Sequence, residues 1–321
     1  MKRISAFAFL FTALATGHVF AQDYPVRPIR ILSPYSPGGI SDIAARIVAG
    51  KLTEAWGQQV IVENRPGGNG FIAVTDVARA APDGYTLVMA TAGDVTINPS
   101  LFKNVPYDVD RDLAPVSAVS DAPLVLAANG ATPYKRFADV IAAAKAQPGM
   151  LNMGSPGYGS INHLVLESIS LNTGTKFVHV PYKGGAPAVQ ALVAGDIPLA
   201  IIASSTAAPH VASGKIRVLG ITTGERSPLN PEWPPLAQEG AGDINVSNWT
   251  ALLGPKAIPQ PIISKLSTKV VDILNMPDVK ARFAAGGVST IPSTPDELAT
   301  RIKRELATYR LVIEKANVHV D

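Results

Sequence analysis

The sequence of 321 residues contains no cysteine. Disulfide bonds, thiolate catalysis, cysteine–zinc sites and iron–sulfur ligation are therefore excluded. Charged residues make up only 17% of the chain, with 28 Lys and Arg against 25 Asp and Glu. A formal net charge of +3, spread evenly along the chain, gives no basis for nucleic-acid binding.

Hydrophobic residues, in contrast, make up 47% of the chain, which is enough to build cores and too much for a disordered protein. The length predicts two domains, because single domains commonly contain about 100–200 residues. The 27 Gly and 27 Pro show no collagen-like period. They indicate many short turns between many secondary-structure elements.

The N-terminus has the pattern of a secretory signal peptide. A basic start at Met1–Arg3 precedes an apolar run from Ile4 to Ala15, and Val19-Phe20-Ala21 fits a cleavage site. We predict a signal peptide over residues 1–21; an N-terminal buried helix is the alternative. Loss of Lys2 and Arg3 would lower the net charge from +3 to +1. No cysteine follows to carry a lipid, and no later run approaches the roughly 18 apolar residues of a membrane span, so we expect an exported soluble protein.

Short apolar runs alternate with helical patterns along the rest of the chain, which predicts an α/β protein with parallel sheets covered on both faces. The clearest helix starts at Thr294-Pro295-Asp296-Glu297, where an N-cap Thr and a Glu three residues later form a capping box. Strands are predicted near Ile29–Leu32, Val60–Val62, Thr86–Met89, Leu124–Ala127, Leu151–Met153, Phe177–Val180, Leu199–Ala203, Ile216–Ile221 and Ala251–Leu253.

Domain boundaries have to be inferred, because no repeat or low-complexity linker marks them. The strands near Leu124 and Trp249 each follow a stretch rich in Pro or Gly. We predict one domain from residues 22–123 and 248–321, with a second domain, 124–247, inserted into it at a two-stranded hinge.

Two glycine-rich loops each follow a predicted strand and open a predicted helix. The first is Ser36-Pro37-Gly38-Gly39-Ile40-Ser41-Asp42, and the second is Gly154-Ser155-Pro156-Gly157-Tyr158-Gly159-Ser160. Such junctions present free backbone N–H groups and the positive end of a helix dipole, which suits an anion. Either loop alone could be an ordinary turn. Two similar loops, one in each predicted domain, favour a cleft that holds a carboxylate from both sides.

Patterns for other chemistries are absent. The second loop lacks the third Gly of a dinucleotide fingerprint, and the chain has neither a P-loop nor a GxSxG nucleophile elbow. The histidines do not have metal-ligand spacing, and no pair of carboxylates suggests acid–base catalysis. We therefore predict no metal, no cofactor and no catalysis. His163 is expected to cap or line its loop, and His179 to be a hydrogen-bonded core residue.

Long motifs resemble the Bug (TctC-like) family of periplasmic substrate-binding proteins over nearly the whole chain after residue 21. They are Tyr24-Pro25-Val26-Arg27-Pro28-Ile29-Arg30-Ile31, Pro34-Tyr35-Ser36-Pro37-Gly38-Gly39 with Asp42, Val62-Glu63-Asn64-Arg65-Pro66-Gly67, Pro82-Asp83-Gly84-Tyr85-Thr86-Leu87, Ser155-x-Gly157-x-Gly159-Ser160 with His163-Leu164, and His179-Val180-Pro181-Tyr182-Lys183-Gly184. The resemblance implies two α/β domains of the type II periplasmic binding-protein kind, with a ligand cleft between them. It also implies delivery of a carboxylate to the inner-membrane subunits (TctA/TctB-like) of a tripartite tricarboxylate transporter, although many members lack a neighbouring transporter.

The resemblance also transfers ligand-binding positions to this chain. Asp42 is expected to cap its own helix and order the loop without touching the anion, and His163 is a weaker transfer. The transferred positions are Tyr35, Ser36, Gly38, Gly39, Asp42, Ser155, Gly157, Gly159, Ser160 and His163.

Departures from the family pattern bear on the ligand. Many members carry an Asp where this chain has Ile202, followed by Ser204, Ser205 and Thr206, which argues against an α-amino-acid ligand. Asp94 follows another strand and either receives a hydrogen-bond donor of the ligand or caps the following turn. Trp249, like Tyr35, either offers a flat face to the ligand or belongs to the core near the hinge.

The sequence thus predicts a monomeric periplasmic binding protein that closes on a small mono- or dicarboxylate, either aliphatic or aromatic. An exported enzyme on the same scaffold and a ligand-sensing adaptor for a membrane receptor are the alternatives.

Overall fold

Runs of aliphatic residues form ten strands in the computed structural model, which describes residues 24–320. The predicted signal peptide, residues 1–21, lies outside this range. The strands are β1 Ile29–Ser33, β2 Val60–Asn64, β3 Thr86–Thr91, β4 Leu113–Asn129, β5 Leu151–Ser155, β6 Phe177–Pro181, β7 Leu199–Ala203, β8 Ile216–Ile221, β9 Ser247–Pro255 and β10 Ser289–Thr290.

Eleven α-helices connect these strands within the described residues. They are α1 Ile40–Trp56, α2 Phe71–Ala78, α3 Asn98–Leu101, α4 Val109–Asp112, α5 Phe137–Ala146, α6 Ile161–Thr173, α7 Gly185–Ala194, α8 Ser204–Ala212, α9 Gln260–Asn275, α10 Pro277–Ala285 and α11 Pro295–Ala316. A π-helical turn over Gly93–Ile97 follows β3, and short 3₁₀ turns cover Gly68–Gly70 and Leu236–Glu239. None of these helices is long and apolar enough to span a membrane.

The start of α11 has the predicted capping box. Thr294 accepts the Glu297 N–H at 3.2 Å, and the Glu297 carboxylate accepts the Thr294 N–H at 2.8 Å. Leu298, Ile302 and Tyr309 of its apolar stripe are buried. The helix therefore packs on the domain as a structural element, as the pattern predicts.

The strands form two sheet regions joined by β4. The first has the order β2-β1-β3-β9-β4, and the second has β7, β5 and β6 beyond β4, with β8 also paired to β4. β4 pairs with β9 from Leu113 to Pro123, and with β7 from Leu124 to Ala128. One continuous strand therefore changes its partners between Pro123 and Leu124.

The prediction of wholly parallel sheets was wrong. β1, β2 and β3 are parallel, as are β5, β6 and β7, but β9 is antiparallel to β3 and to β4, and β4 is antiparallel to β7 and β8. Strands that connect the two regions do not follow the βαβ pattern that produces parallel neighbours. The outer strands, which do follow it, are parallel.

The chain passes between the two sheet regions at Leu124 in β4 and again just before β9. The fully buried Thr222 forms hydrogen bonds to both of these segments. Its hydroxyl donates to the Val246 carbonyl at 2.6 Å and accepts the Leu124 N–H at 3.2 Å. Its main-chain N–H donates to the Leu124 carbonyl at 3.0 Å. A single side chain thus links the start of the second half of β4 to the segment that leads into β9.

Candidate functional site

A cavity of about 950 Å³ lies where the two sheet regions face each other. Its walls come from both predicted domains, and among these described lining residues none is Asp, Glu, Lys, Arg or His. They are Tyr35, Gly39, Ile40, Asn69, Thr91, Gly93, Ile97, Asn98, Leu101, Phe102, Tyr158, Gly159, Ser160, Ile161, Asn162, Gly184, Gly185, Asn248 and Val320. The cavity therefore holds uncharged polar groups beside an apolar wall.

Three of the longer helices begin at this cavity, as does the four-residue α3 at Asn98. The first residues of α1, α6 and α7, which are Ile40, Ile161 and Gly185, all line it. The first turn of a helix leaves N–H groups without intrahelical partners, and the helix dipole makes that end positive. The cavity thus has a positive potential without any fixed cation, which suits an anionic group.

The first glycine-rich loop is ordered by Asp42, the third residue of α1. The Asp42 carboxylate accepts the Gly38 N–H at 3.0 Å and the Asn64 side-chain amide at 2.9 Å, and pairs with Arg46 at 2.9 Å. Burial raises the pKa of Asp42, but the hydrogen bonds from Arg46, Gly38 and Asn64 outweigh it and hold the pKa below its ordinary value. Asp42 orders the loop and does not line the cavity, but the prediction that it caps its own helix was wrong, because among the described residues no side chain bonds the N-cap at Gly39.

The second glycine-rich loop is ordered by Ser155 and two histidines. The buried Ser155 hydroxyl accepts the Gly157 N–H at 3.1 Å and lies 2.7 Å from Nε2 of His179. His163 Nδ1 accepts the Gly159 N–H at 3.2 Å. The Ser160 hydroxyl donates to the Gly157 carbonyl at 2.7 Å. His163 therefore bonds its loop, as predicted.

The two imidazoles are stacked, with ring centroids 3.9 Å apart and planes inclined by 10°. Because Nδ1 of His163 accepts a hydrogen bond, its proton is on Nε2, which lies 3.3 Å from the Glu167 carboxylate. Burial, and then the neighbouring His163, lower the pKa of His179 to about 4, while Glu167 opposes the shift. His179 is therefore neutral at pH 7.

The loop glycines are not the source of the free backbone N–H groups that the sequence predicts at these junctions. Gly38, Gly157 and Gly159 donate to side chains of their own loops, and Gly39 donates to the Ser36 carbonyl at 3.4 Å. Short loops satisfy these donors internally because an unpaired buried N–H is costly. The free donors are those of the helix starts that follow the loops, apart from the His163 N–H, which donates to the Ser160 hydroxyl at 3.3 Å.

A third group of polar side chains surrounds Asp94, which is fully buried. Oδ2 accepts the Thr91 N–H at 2.7 Å and the Thr91 hydroxyl at 2.8 Å, and Oδ1 accepts the Tyr35 hydroxyl at 2.8 Å. Burial raises the pKa of Asp94 to about 6, and these hydrogen bonds limit the rise. Asp94 does not line the cavity, but Tyr35 and Thr91 do.

The other predicted positions lie away from the main cavity. Ser36 and Gly38 are exposed at the loop tip, and Ser204 is buried at the start of α8. Ser205 lines a separate cavity of about 230 Å³, and the Thr206 hydroxyl bonds the Ala203 carbonyl at 2.8 Å. The structure therefore brings together Tyr35, Gly39, Gly159 and Ser160 from the predicted set.

The interpretation of Trp249 as a flat face for the ligand is contradicted by its burial. Trp249 is fully buried, and its indole N–H donates to Glu305 at 2.8 Å. The Arg301 guanidinium lies 4.9 Å from the centre of the ring. It is a core residue next to the crossing strands, which is the alternative that the sequence left open.

Several cavity residues have no counterpart among the predicted site residues. Gly184 and Gly185 open α7 directly after β6, which is the same strand–loop–helix signal as in the other two loops. Asn69 and Asn98 form a reciprocal pair, with Asn69 Nδ2 donating to Asn98 Oδ1 at 2.8 Å and Asn98 Nδ2 to the Asn69 carbonyl at 2.9 Å. Lone asparagines carry no sequence signal that distinguishes a cavity wall from a turn.

Comparison with known proteins agrees with this geometry. The model of the tripartite tricarboxylate transporter family receptor, TctC, matches residues 44–318. Protein BugT of Bordetella pertussis is 35% identical over 308 residues, which cover 96% of this chain and 94% of BugT.

Two solved structures from Rhodopseudomonas palustris are similar over the whole described chain. Rpa4515 with adipate has 30% identity and a TM-score of 0.78, covering 92% of this chain and 99% of that one. MatC (Rpa3494) with bound malate has 29% identity and a TM-score of 0.73, covering 90% and 100%. The chain therefore belongs to the TctC family of tripartite tricarboxylate transporter receptors, which includes the Bug proteins.

Proposed function

We propose that the protein binds a small carboxylate in the periplasm and delivers it to the inner-membrane subunits of a tripartite tricarboxylate transporter. The convergence of the α1, α6 and α7 N-termini on a cavity lined by uncharged residues is the observation that carries this proposal. Rpa4515 and MatC, whose structures contain adipate and malate, support a carboxylate as the ligand class.

Capture of a carboxylate without a salt bridge is energetically reasonable. A hydrogen bond to a charged group contributes about 1.5–3 kcal/mol net. Three to five such bonds, less the cost of association, reach the roughly −8 kcal/mol of a micromolar complex. The helix starts and the second side-chain amide protons of Asn69 and Asn98 supply that number of donors.

The proposal includes a hinge between two domains. One domain contains residues 22–123 and 248–321, and the other contains residues 124–247. The change of partners along β4 and the link through Thr222 support this division. Leu101 and Val320 also pack on Gly159, so that a Cβ added at Gly159 would lie 2.8 and 2.9 Å from their methyl groups. We infer that these contacts belong to a closed arrangement of a monomer, exported by a signal peptide over residues 1–21.

The alternative of an exported enzyme has one feature to weigh, the 2.7 Å pair of Ser155 and His179. The Ser155 hydroxyl is buried, accepts the Gly157 N–H and does not line the cavity. A nucleophile must reach its substrate, so this pair supports a structural role. Turnover of a bound acid, followed by mass spectrometry, would contradict a purely receptor function.

A charge placed at the start of α7 tests the proposal. A side chain at Gly185 meets no heavy atom within 4 Å, and Asp at a helix N-terminus is favourable for folding. We expect Gly185→Asp to weaken binding of adipate, malate or another stabilising acid at least tenfold, and the neutral isostere Gly185→Asn to change it less than threefold. Binding would be measured by calorimetry after a thermal-shift screen of mono- and dicarboxylates.

Binding of a metabolite of another chemical class would contradict the proposal. If no carboxylate stabilises the protein while a metabolite of another class does, the ligand class is wrong. Native mass spectrometry of the purified protein would identify a ligand retained from the cell. Capture of a signalling receptor in place of transporter subunits in a pull-down would favour the adaptor alternative.

A further inference from the structure

The carboxylate of Asp94 is closed off from everything except three hydrogen-bond donors. It lies beneath the Gly67–Gly70 turn, and a Cβ added at Gly70 would lie only 2.1 Å from Oδ1. Gly70 has a φ of 90°, which favours glycine at this position. The turn therefore seals the carboxylate on one side and leaves it to Thr91 and Tyr35.

The protons of this cluster can be counted. An ionised carboxylate only accepts hydrogen bonds, and a Thr or Tyr hydroxyl has one proton to donate. The Thr91 and Tyr35 hydroxyls each lie 2.8 Å from an oxygen of Asp94, so each directs its proton at Asp94. Both residues line the cavity, and their oxygens lie 3.5 Å apart. Neither hydroxyl therefore has a second proton to donate to a ligand, and each can act towards the cavity only as an acceptor.

Capping of the turn after β3 accounts for only part of this cluster. The two bonds from Thr91 to Asp94 are local, three residues apart. The bond from Tyr35 comes from the first glycine-rich loop, 59 residues away in sequence. A residue that only caps the turn does not need a hydrogen bond from Tyr35. A residue that fixes the orientation of a hydroxyl at the cavity does need one.

We propose that Tyr35 and Thr91 form a hydrogen-bond acceptor pair that selects a carboxylate bearing a hydroxyl or N–H group, with Asp94 as the residue that positions both acceptors. The inference rests on the proposed function, because the helix starts hold the carboxylate of the same ligand. It deepens that function by giving the ligand a second polar group. A carboxylate or keto oxygen placed at the pair would instead face lone pairs.

Matched acids test the acceptor pair by calorimetry. The probes are hydroxy acids of four to six carbons with the hydroxyl at successive positions, together with 3- and 4-hydroxybenzoate. Each is compared with its unsubstituted acid and, for the aliphatic acids, with its oxo analogue. We expect the best hydroxy acid to bind at least tenfold more tightly than its unsubstituted partner, and more tightly still than the oxo analogue.

Two variants assign the preference to these residues. Tyr35→Phe removes one acceptor from a residue that lines the cavity, and we expect it to reduce the ratio of hydroxy-acid to unsubstituted-acid affinity about tenfold. In Asp94→Asn the amide donates to one hydroxyl, whose proton then turns to the cavity. We expect that variant to gain affinity for the oxo analogue and lose it for the hydroxy acid, a reversal that a loosened fold would not produce. Circular dichroism and melting temperature confirm folding.

The outcomes separate this inference from the proposed function. If acids bind but the hydroxy and unsubstituted partners bind equally, the acceptor pair is refuted and the carboxylate site stands. If Tyr35→Phe folds and keeps the full preference, another group recognises the hydroxyl and the inference is also refuted. If no acid binds at all, the proposed function fails, and the inference fails with it.

Discussion

Protonation of His179 should destabilise the folded protein in mild acid. Its imidazole stacks on His163 at 3.9 Å and lies 2.7 Å from the Ser155 hydroxyl. Burial and then His163 lower its pKa from 6.5 to about 4. The unfolded chain therefore binds a proton between pH 6.5 and 4 that the folded chain does not. The contribution of neutral His179 to the free energy of unfolding is fully present above pH 6.5 and is lost as the pH falls towards 4.

The magnitude follows from the size of the shift. One pKa unit corresponds to about 1.36 kcal/mol, so a shift from 6.5 to about 4 reduces the free energy of unfolding by at most about 2 kcal/mol at pH 5 and about 3 kcal/mol at pH 4. The ring is partly exposed, and solvent screening lowers the expected loss at pH 5 to about 1–2 kcal/mol. Asp94 acts in the opposite sense, because its raised pKa of about 6 stabilises the fold as the pH falls from 6 to 4.

Comparison of variants isolates the histidine. Urea unfolding of wild type and His179→Gln would be measured from pH 7.5 to 4.5, and the difference between the two curves removes the contribution of Asp94. We expect His179→Gln to be less stable at pH 7, where it loses the stack, and to recover about 1–2 kcal/mol relative to wild type at pH 5. His319→Gln, which removes an exposed imidazole elsewhere, is the matched control. A His179→Gln curve that runs parallel to that of wild type would refute the reasoning.

Three further substitutions test other features of the structure by urea unfolding. Gly70→Ala should lower the free energy of unfolding by about 2–4 kcal/mol, because the added Cβ would displace the Asp94 carboxylate and alanine is strained at a φ of 90°. The control Gly50→Ala, on the exposed face of α1, should instead raise the free energy of unfolding by about 0.5–1 kcal/mol. Equal effects of the two substitutions would contradict the argument. Thr222→Val should cost about 1–3 kcal/mol, since it removes the hydroxyl donor from the buried Val246 carbonyl, and an unchanged midpoint would show that this link is dispensable. Trp249→Phe should cost about 2 kcal/mol without altering carboxylate affinity, and a tenfold loss of affinity measured by calorimetry would place Trp249 at the ligand after all.

Elements defined by local patterns were predictable from the sequence. The first residues of all strands except β4, β9 and β10, and the capping box of α11, depend on alternation and caps within a few residues. Strands β4 and β9 were predicted too short, as Leu124–Ala127 and Ala251–Leu253, because their other halves contain Pro, Ser and Ala. Pairing with partners distant in sequence extends these strands, and no local window contains that information.

The candidate site was predictable only in outline. The two glycine-rich loops lie at the cavity, but the use of their N–H groups depends on Asp42, Ser155 and His163, whose side chains fold back onto the loops. The role of Asp94 depends on Tyr35, which is distant in sequence and comes near only in the folded protein. The sequence around Trp249 is equally consistent with a core residue and with a ligand-binding residue. The complete burial of Trp249 and its bond to Glu305 distinguish the two.

The continuity of β4 through both sheet regions has a mechanical consequence. Its backbone pairs without interruption from Leu113 to Asn129, apart from two bulges beside β9 and one beside β8. Under the proposed hinge, rotation of one region against the other would therefore be absorbed as torsion within a strand, near Pro123 and Leu124, and not by separation of two surfaces. Amide hydrogen exchange along β4 should accordingly be fastest at this point and slowest towards the centres of the two sheets.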